Sequence, residues 1–144
     1  GFRIKAFTNM ETNLKEQYFK GGVKTRASKE RIVPIHSAIY DMVKARCNGK
    51  NLLHCSANDF RQKMYDALSK LGIANAPTGE KHTPHDCRHT FSRLCEKYEV
   101  NENDRKRMMG HSFGSDITNA KYGHRTLEEL RTQIEKIKPP LEEK

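Results

Sequence analysis

No apolar run in this 144-residue sequence approaches the roughly 18 residues a membrane-spanning helix requires. A mean hydropathy of −0.90 with 31% charged residues points the same way. No charged stretch followed by an apolar one opens the chain, so no secretion signal is read. With Gly1 in place of an initiator methionine, the sequence reads as one domain, residues 1–144, cut from a longer cytoplasmic protein. The four cysteines, Cys47, Cys55, Cys87 and Cys95, lack CxxC spacing. A chain long enough to bury a core needs no disulfide frame, so free thiols are expected. There is no internal repeat and no low-complexity segment.

Acidic residues are the scarcer charge. Against 18 Asp and Glu stand 27 Lys and Arg, a formal charge of +9, which favours a polyanionic partner such as nucleic acid. Residues 1–35 hold eight basic residues (Arg3, Lys5, Lys15, Lys20, Lys24, Arg26, Lys29 and Arg31) against three acidic ones, whereas residues 126–144 hold four against five. The excess belongs to the body of the domain and not to a basic tail.

The apolar-rich runs 17–24 and 31–36, separated by polar residues, predict a β-hairpin with Lys24 near its turn. Ser37 is read as the N-cap of a helix to Arg46 with Ile39, Met42 and Val43 on one face. Ser56 and Asp59 form a capping box before a stripe of Phe60, Met64, Leu68 and Leu71 that Gly72 ends, and residues 73–81 read as a loop. Thr83-Pro84-His85-Asp86 supplies an N-cap, a proline at the first helical position and an acid at the third, opening a helix to about Lys97. Short helices follow at 101–109, stopped by Gly110, and at 116–121. Thr126 to Glu129 opens a last one, carrying Leu127, Leu130, Ile134 and Ile137 and ended by Pro139 and Pro140. The sum is an α+β domain, mainly α-helical, with a small antiparallel β-sheet.

His85 and Arg88, three apart in the first turn of a helix, are expected on one face within about 6 Å of each other, where backbone N–H groups, an arginine fork and an imidazole suit a phosphate. Arg88 paired with a surface carboxylate and a packed His85 is the plainer alternative. Gly110 presents His111 in a turn, and Tyr122 follows eleven residues later.

HTPHDCRHTF (82–91), MMGHSF (108–113) and NAKYGHRTLEEL (119–130) together resemble the tyrosine recombinase (phage integrase) family, and GGVKTRASKERIVPIH (21–36) is similar to that family's lysine-bearing hairpin. The segments occur in the family's order and cover most of the chain. The resemblance implies the fold of that family's catalytic domain, with Tyr122 as nucleophile, His85 and Arg88 as the HxxR pair, His111 as the third-box histidine and Lys24 as the hairpin lysine. Gly1-Phe2-Arg3 fits the family's first arginine, although the acid expected three residues later is Ala6. Either the segment is a trimmed variant or the arginine precedes Gly1. Such residues suit the chemistry: arginine and histidine donors meet charge developing on phosphate oxygens, tyrosine must lose a proton near pKa 10, and a lysine can protonate the leaving 5′ oxygen.

The resemblance further implies a site-specific recombinase acting on double-stranded DNA in a bacterial cytoplasm, for integration or excision of a mobile element or prophage. It needs no cofactor and no metal, has upstream DNA-binding modules, and self-associates on DNA through its C-terminal helix. Two other functions fit: a type IB topoisomerase or resolvase-like enzyme with the same residues, and a non-catalytic basic DNA-binding protein. Arg26, Lys29 and Arg31 are read as phosphate contacts that position DNA without reading bases. Tyr18, Tyr40, Tyr65 and Tyr98 have no GH turn ahead of them and read as packing residues. His82, His85, His89 and Cys87 suggest zinc, but His82 precedes the helix and no second ligand pair is visible. His89 is taken as support for its neighbours, and His124 as near the site or simply on the surface.

Overall fold

In the computed structural model, which describes residues 1–23, 26–29, 31–47, 52–114 and 124–139, Phe19 turns into the core between exposed Lys20 and half-buried Tyr18. This alternation makes β2 (Tyr18–Lys20), which pairs antiparallel with β3 (Ile32–Pro34) in the register Phe19↔Val33. The hairpin read from the sequence is therefore present. A third strand, β1 (Glu11–Asn13), adds to the other edge of β2. It went unread because its three residues are polar and its turn to β2 ends on Gln17 at φ +54, with none of the usual glycine signals. Ahead of it, Ile4–Thr8 form a turn of 3-10 helix, and the β2–β3 connection carries a single helical turn, α1 (Arg26–Lys29).

The helix α2 (Ser37–Arg46) is capped by His36, not Ser37. His36 Nδ1 accepts from the Ala38 N–H at 3.0 Å while Nε2 lies 2.7 Å from the Ile137 carbonyl, so both contacts are met by the tautomer protonated on Nε2. Ser37 instead donates from its N–H and hydroxyl to the Glu135 carboxylate. Only Val43 of the expected α2 face is buried; Ile39 and Met42 are exposed. The capping box opening α3 (Ala57–Lys70) forms with both of its bonds, and Gly72 (φ +70) follows its end. Yet none of α3's residues is fully buried, and Leu71 is 70% exposed. Its stripe has the right period, but among the described elements α3 lies chiefly against the 3-10 turn.

The helix α4 (Asp86–Lys97) starts two residues later than expected. The Thr83 hydroxyl and N–H both donate to the Asp86 carboxylate, so Thr83 closes a turn ahead of the helix and His85 takes the cap position. The helix α5 (Glu102–Met109) is stopped by Gly110, as its sequence indicates, and Asn101, read as its first residue, is instead its cap. The capping box at Thr126 and Glu129 opens α6 (Leu127–Ile134), whose Leu130 and Ile134 join Val33, Cys95, Val100 and Met108 in one core cluster. Burial of such side chains stabilises by about 1.5–3 kcal/mol each. A second cluster, Met10, Phe19, Ile35 and Val43, lies on the hairpin side, and Phe2 packs against both. The cysteines are unpaired thiols, and burial pushes the Cys95 thiol up to about 11. No described helix is long and apolar enough to cross a membrane.

Candidate active site

Three segments distant in sequence meet at the C-terminal end of α5. The His111 N–H bonds to the Lys106 carbonyl and the Gly110 N–H to that of Arg107, a Schellman cap that needs the left-handed φ of +66 found at Gly110. The Met109 carbonyl has no partner within its helix and accepts from two guanidinium groups, Arg88 Nη2 at 2.6 Å and Arg31 Nη1 at 2.6 Å. Arg88 Nη1 also bonds to the Gly1 carbonyl, which ties the N-terminal segment to the same place. A cavity of about 230 Å³ opens beside this junction, lined by Arg3, Arg31, Arg88 and His111 among others. Among the described residues no carboxylate is paired with Arg3, Arg31 or Arg88.

The electrostatics follow first from burial and then from this crowding of cations. Burial and the neighbouring Arg88 and Arg3 pull Arg31 down to about 10, and burial with Arg3 lowers Arg88. Burial lowers the His111 imidazole, with Arg88, Arg105, Arg31 and Arg3 adding to the shift; His85 is lowered by desolvation, then by His89, Arg3 and Arg88. Both imidazoles are therefore neutral near pH 7 and able to accept a proton. The expected titration midpoints of both, read from their ring proton resonances by NMR, lie below 6.5, and a midpoint at or above that value contradicts the placement. Because the folded values are depressed, the unfolded chain binds protons more readily. Each histidine thus subtracts stability as pH falls from 6.5 through its folded midpoint.

Arg3 and Val23 also line a larger cleft of about 1170 Å³, with Lys5, Lys29, Arg61 and His85 on its walls. Of the HxxR pair, Arg88 is buried at the small cavity, while His85 is exposed on the cleft, its ring packed on His89 at 4.8 Å. His85 sits at the cap position of α4 yet keeps helical dihedral angles, and its carbonyl accepts from the Arg88 and His89 N–H groups.

No protein-family model, curated protein or solved structure matches this chain.

Of the residues singled out in the sequence, the structure brings Arg3, Arg88 and His111 to one cavity and places His85 on the adjoining cleft. Lys24 and Tyr122 lie outside the described residues, as do 116–121 and the side chain of Arg26. Lys29 is exposed on the cleft; Arg31, expected with it on a DNA-facing surface, is only 8% exposed and stands at the small cavity. His124 is exposed. His82 bonds to Asp86 at 2.9 Å, and among the described residues no cluster of His, Cys, Asp and Glu has a metal-holding arrangement.

Sequence reading missed the pair that anchors the chain after Tyr122. Arg125 Nε and Nη2 donate to the two oxygens of the fully buried Asp104, at 2.8 and 3.0 Å. The partners are 21 residues apart with no motif joining them.

Proposed function

We propose that this chain is the catalytic domain of a tyrosine recombinase, a DNA strand-transferase that breaks and rejoins strands through a 3′-phosphotyrosyl intermediate. One observation carries the reading: Arg3, Arg88 and His111, far apart in sequence, line one cavity that adjoins a basic cleft. A mere DNA binder gains nothing from burying Arg88 and Arg31 with no carboxylate partner among the described residues. A phosphoryl-transfer site gains preorganised donors where charge develops.

In this mechanism the Tyr122 phenol oxygen attacks the phosphorus of a DNA phosphodiester. Its proton passes to a neutral imidazole or to solvent, and depressed titration of His85 and His111 suits either for that task. Arg3 and Arg88 hold the non-bridging oxygens. The bond from phosphorus to the 5′ oxygen breaks, and Lys24 protonates that oxygen; Val23, one residue earlier, lines both cavities. A 5′-hydroxyl of the partner strand then attacks the phosphotyrosine, restoring the phosphodiester and releasing Tyr122. One phosphate ester replaces another at each step, so the scheme consumes no nucleotide cofactor.

Double-stranded DNA is the proposed partner, met in a bacterial cytoplasm during integration or excision of a mobile element. Lys29, Lys5 and Arg61 on the cleft are suited to backbone phosphates, a salt-dependent and sequence-independent contribution. Leu130 and Ile134 of α6 are occupied in this chain's own core, so self-association on DNA would use the chain beyond Ile137.

The test is incubation with nicked suicide substrates taken from the junctions flanking the gene. A covalent protein–DNA adduct is expected with the wild type and not with Tyr122→Phe. DNA binding with no adduct in either would favour the non-catalytic alternative.

A further inference from the structure

A buried arginine beside another arginine is costly unless its donors are well used. Arg31, immediately ahead of β3, is 8% exposed, and its guanidinium carbon lies 4.2 Å from the centre of the Phe2 ring. Its Nη1 bonds to the Met109 carbonyl at 2.6 Å and to the Ser28 hydroxyl at 3.3 Å, while its buried Nε has no hydrogen-bond partner among the described residues. The Met109 carbonyl stands at the negative end of α5, and its two lone pairs are taken by the two arginines. A Cβ added to Gly110 would collide with Arg31 Nη1 and come within 3.0 Å of Ser28 Cα. The arginine therefore packs directly on the glycine of the turn, which has no slack on that side.

We propose that Arg31 is a positioning residue of the candidate site: with Arg88 it clamps the Met109 carbonyl and packs on Gly110, and so fixes the turn that presents His111. This assigns Arg31 a role inside the site, in place of the DNA backbone contact its sequence suggests, and its catalytic consequence rests on the strand-transferase reading above. Lysine is a poor substitute, because a compact ammonium group offers no plane to stack on the Phe2 ring while one of its nitrogens donates to Met109 and Ser28.

The experiment uses the full 144-residue chain with Arg31→Lys and Arg31→Met, each checked for wild-type circular dichroism. In DNA-free protein, NMR should show the Gly110 and His111 amide resonances displaced in both variants, with the His111 titration midpoint moved upward in Arg31→Met. With DNA, adduct formation at saturating substrate should slow by about tenfold or more, as misplacement of a catalytic group does, while Kd for DNA stays within about twofold because no phosphate contact is lost. Should Arg31→Met fail to fold, the Arg31→Lys amide shifts decide. Unmoved Gly110 and His111 resonances overturn the clamp, as does a weakened Kd with an unchanged rate at saturation. The NMR result stands whether or not the wild type cleaves DNA, so failure of the strand-transferase reading is told apart from failure of this one.

Discussion

Arg88→Lys is expected to slow formation of the covalent adduct by about 10²–10³-fold, the loss typical when one preorganised donor to a developing oxyanion is removed. Arginine at this position bonds to the Met109 and Gly1 carbonyls from its two terminal nitrogens and still borders the cavity. An ammonium group has the charge but not the planar fork, so it cannot hold both carbonyls and face a phosphate. DNA affinity should change little, since one of 27 basic side chains is exchanged for another of equal charge. Single-turnover kinetics on a suicide substrate, beside thermal unfolding of the same protein, separates the outcomes. A rate within about threefold of wild type in a stably folded variant would remove Arg88 from the reaction, because that is well under the loss expected for such a donor.

Arg125→Met is expected to destabilise the domain by about 3 kcal/mol, the low end of what breaking a buried ion pair costs, since a third of the Arg125 side chain remains exposed while Asp104 is fully buried. Against a total stability of roughly 5–15 kcal/mol this is a large fraction, and the unfolding midpoint should fall on the order of 10 °C. The double variant Asp104→Leu/Arg125→Met should recover most of the loss, because the uncompensated buried charge is then gone. Thermal denaturation of the single and double variants checks both. If the single variant unfolds like wild type, the fork does not anchor the chain. The consequence reaches beyond stability, since the fork holds the backbone three residues after Tyr122 to the same helix whose end carries His111.

Local signals were legible where a side chain acts within its own turn. The boxes at Ser56 and Thr126 and the Gly110 stop all close within three or four residues, and all are present. What failed to show in the sequence depends on distant partners. The α3 stripe has a helical period, yet nothing in its spacing says whether another element covers it, and Leu71 stays exposed. Ser37 has the chemistry of a cap, but the helix starts one residue earlier: His36 accepts from the Ala38 N–H, and Ser37, already helical, donates to Glu135, 98 residues away. Arg31 stands in a run of basic residues that reads as surface, and only the return of α5 past the hairpin buries it. Arg3 had no family acid behind it to support its reading; its place on both cavities came from the fold.

The central claim is that Tyr122 takes a DNA strand onto its phenol oxygen. Trypsin cuts after Lys121 and Arg125, so it releases this tyrosine in the peptide Tyr122–Arg125, apart from Tyr18, Tyr40, Tyr65 and Tyr98. Mass spectrometry of the nuclease-trimmed, trypsin-digested adduct should find the phosphate and its nucleotide remnant on that peptide alone. The same mass carried by a peptide with any other tyrosine would contradict the account.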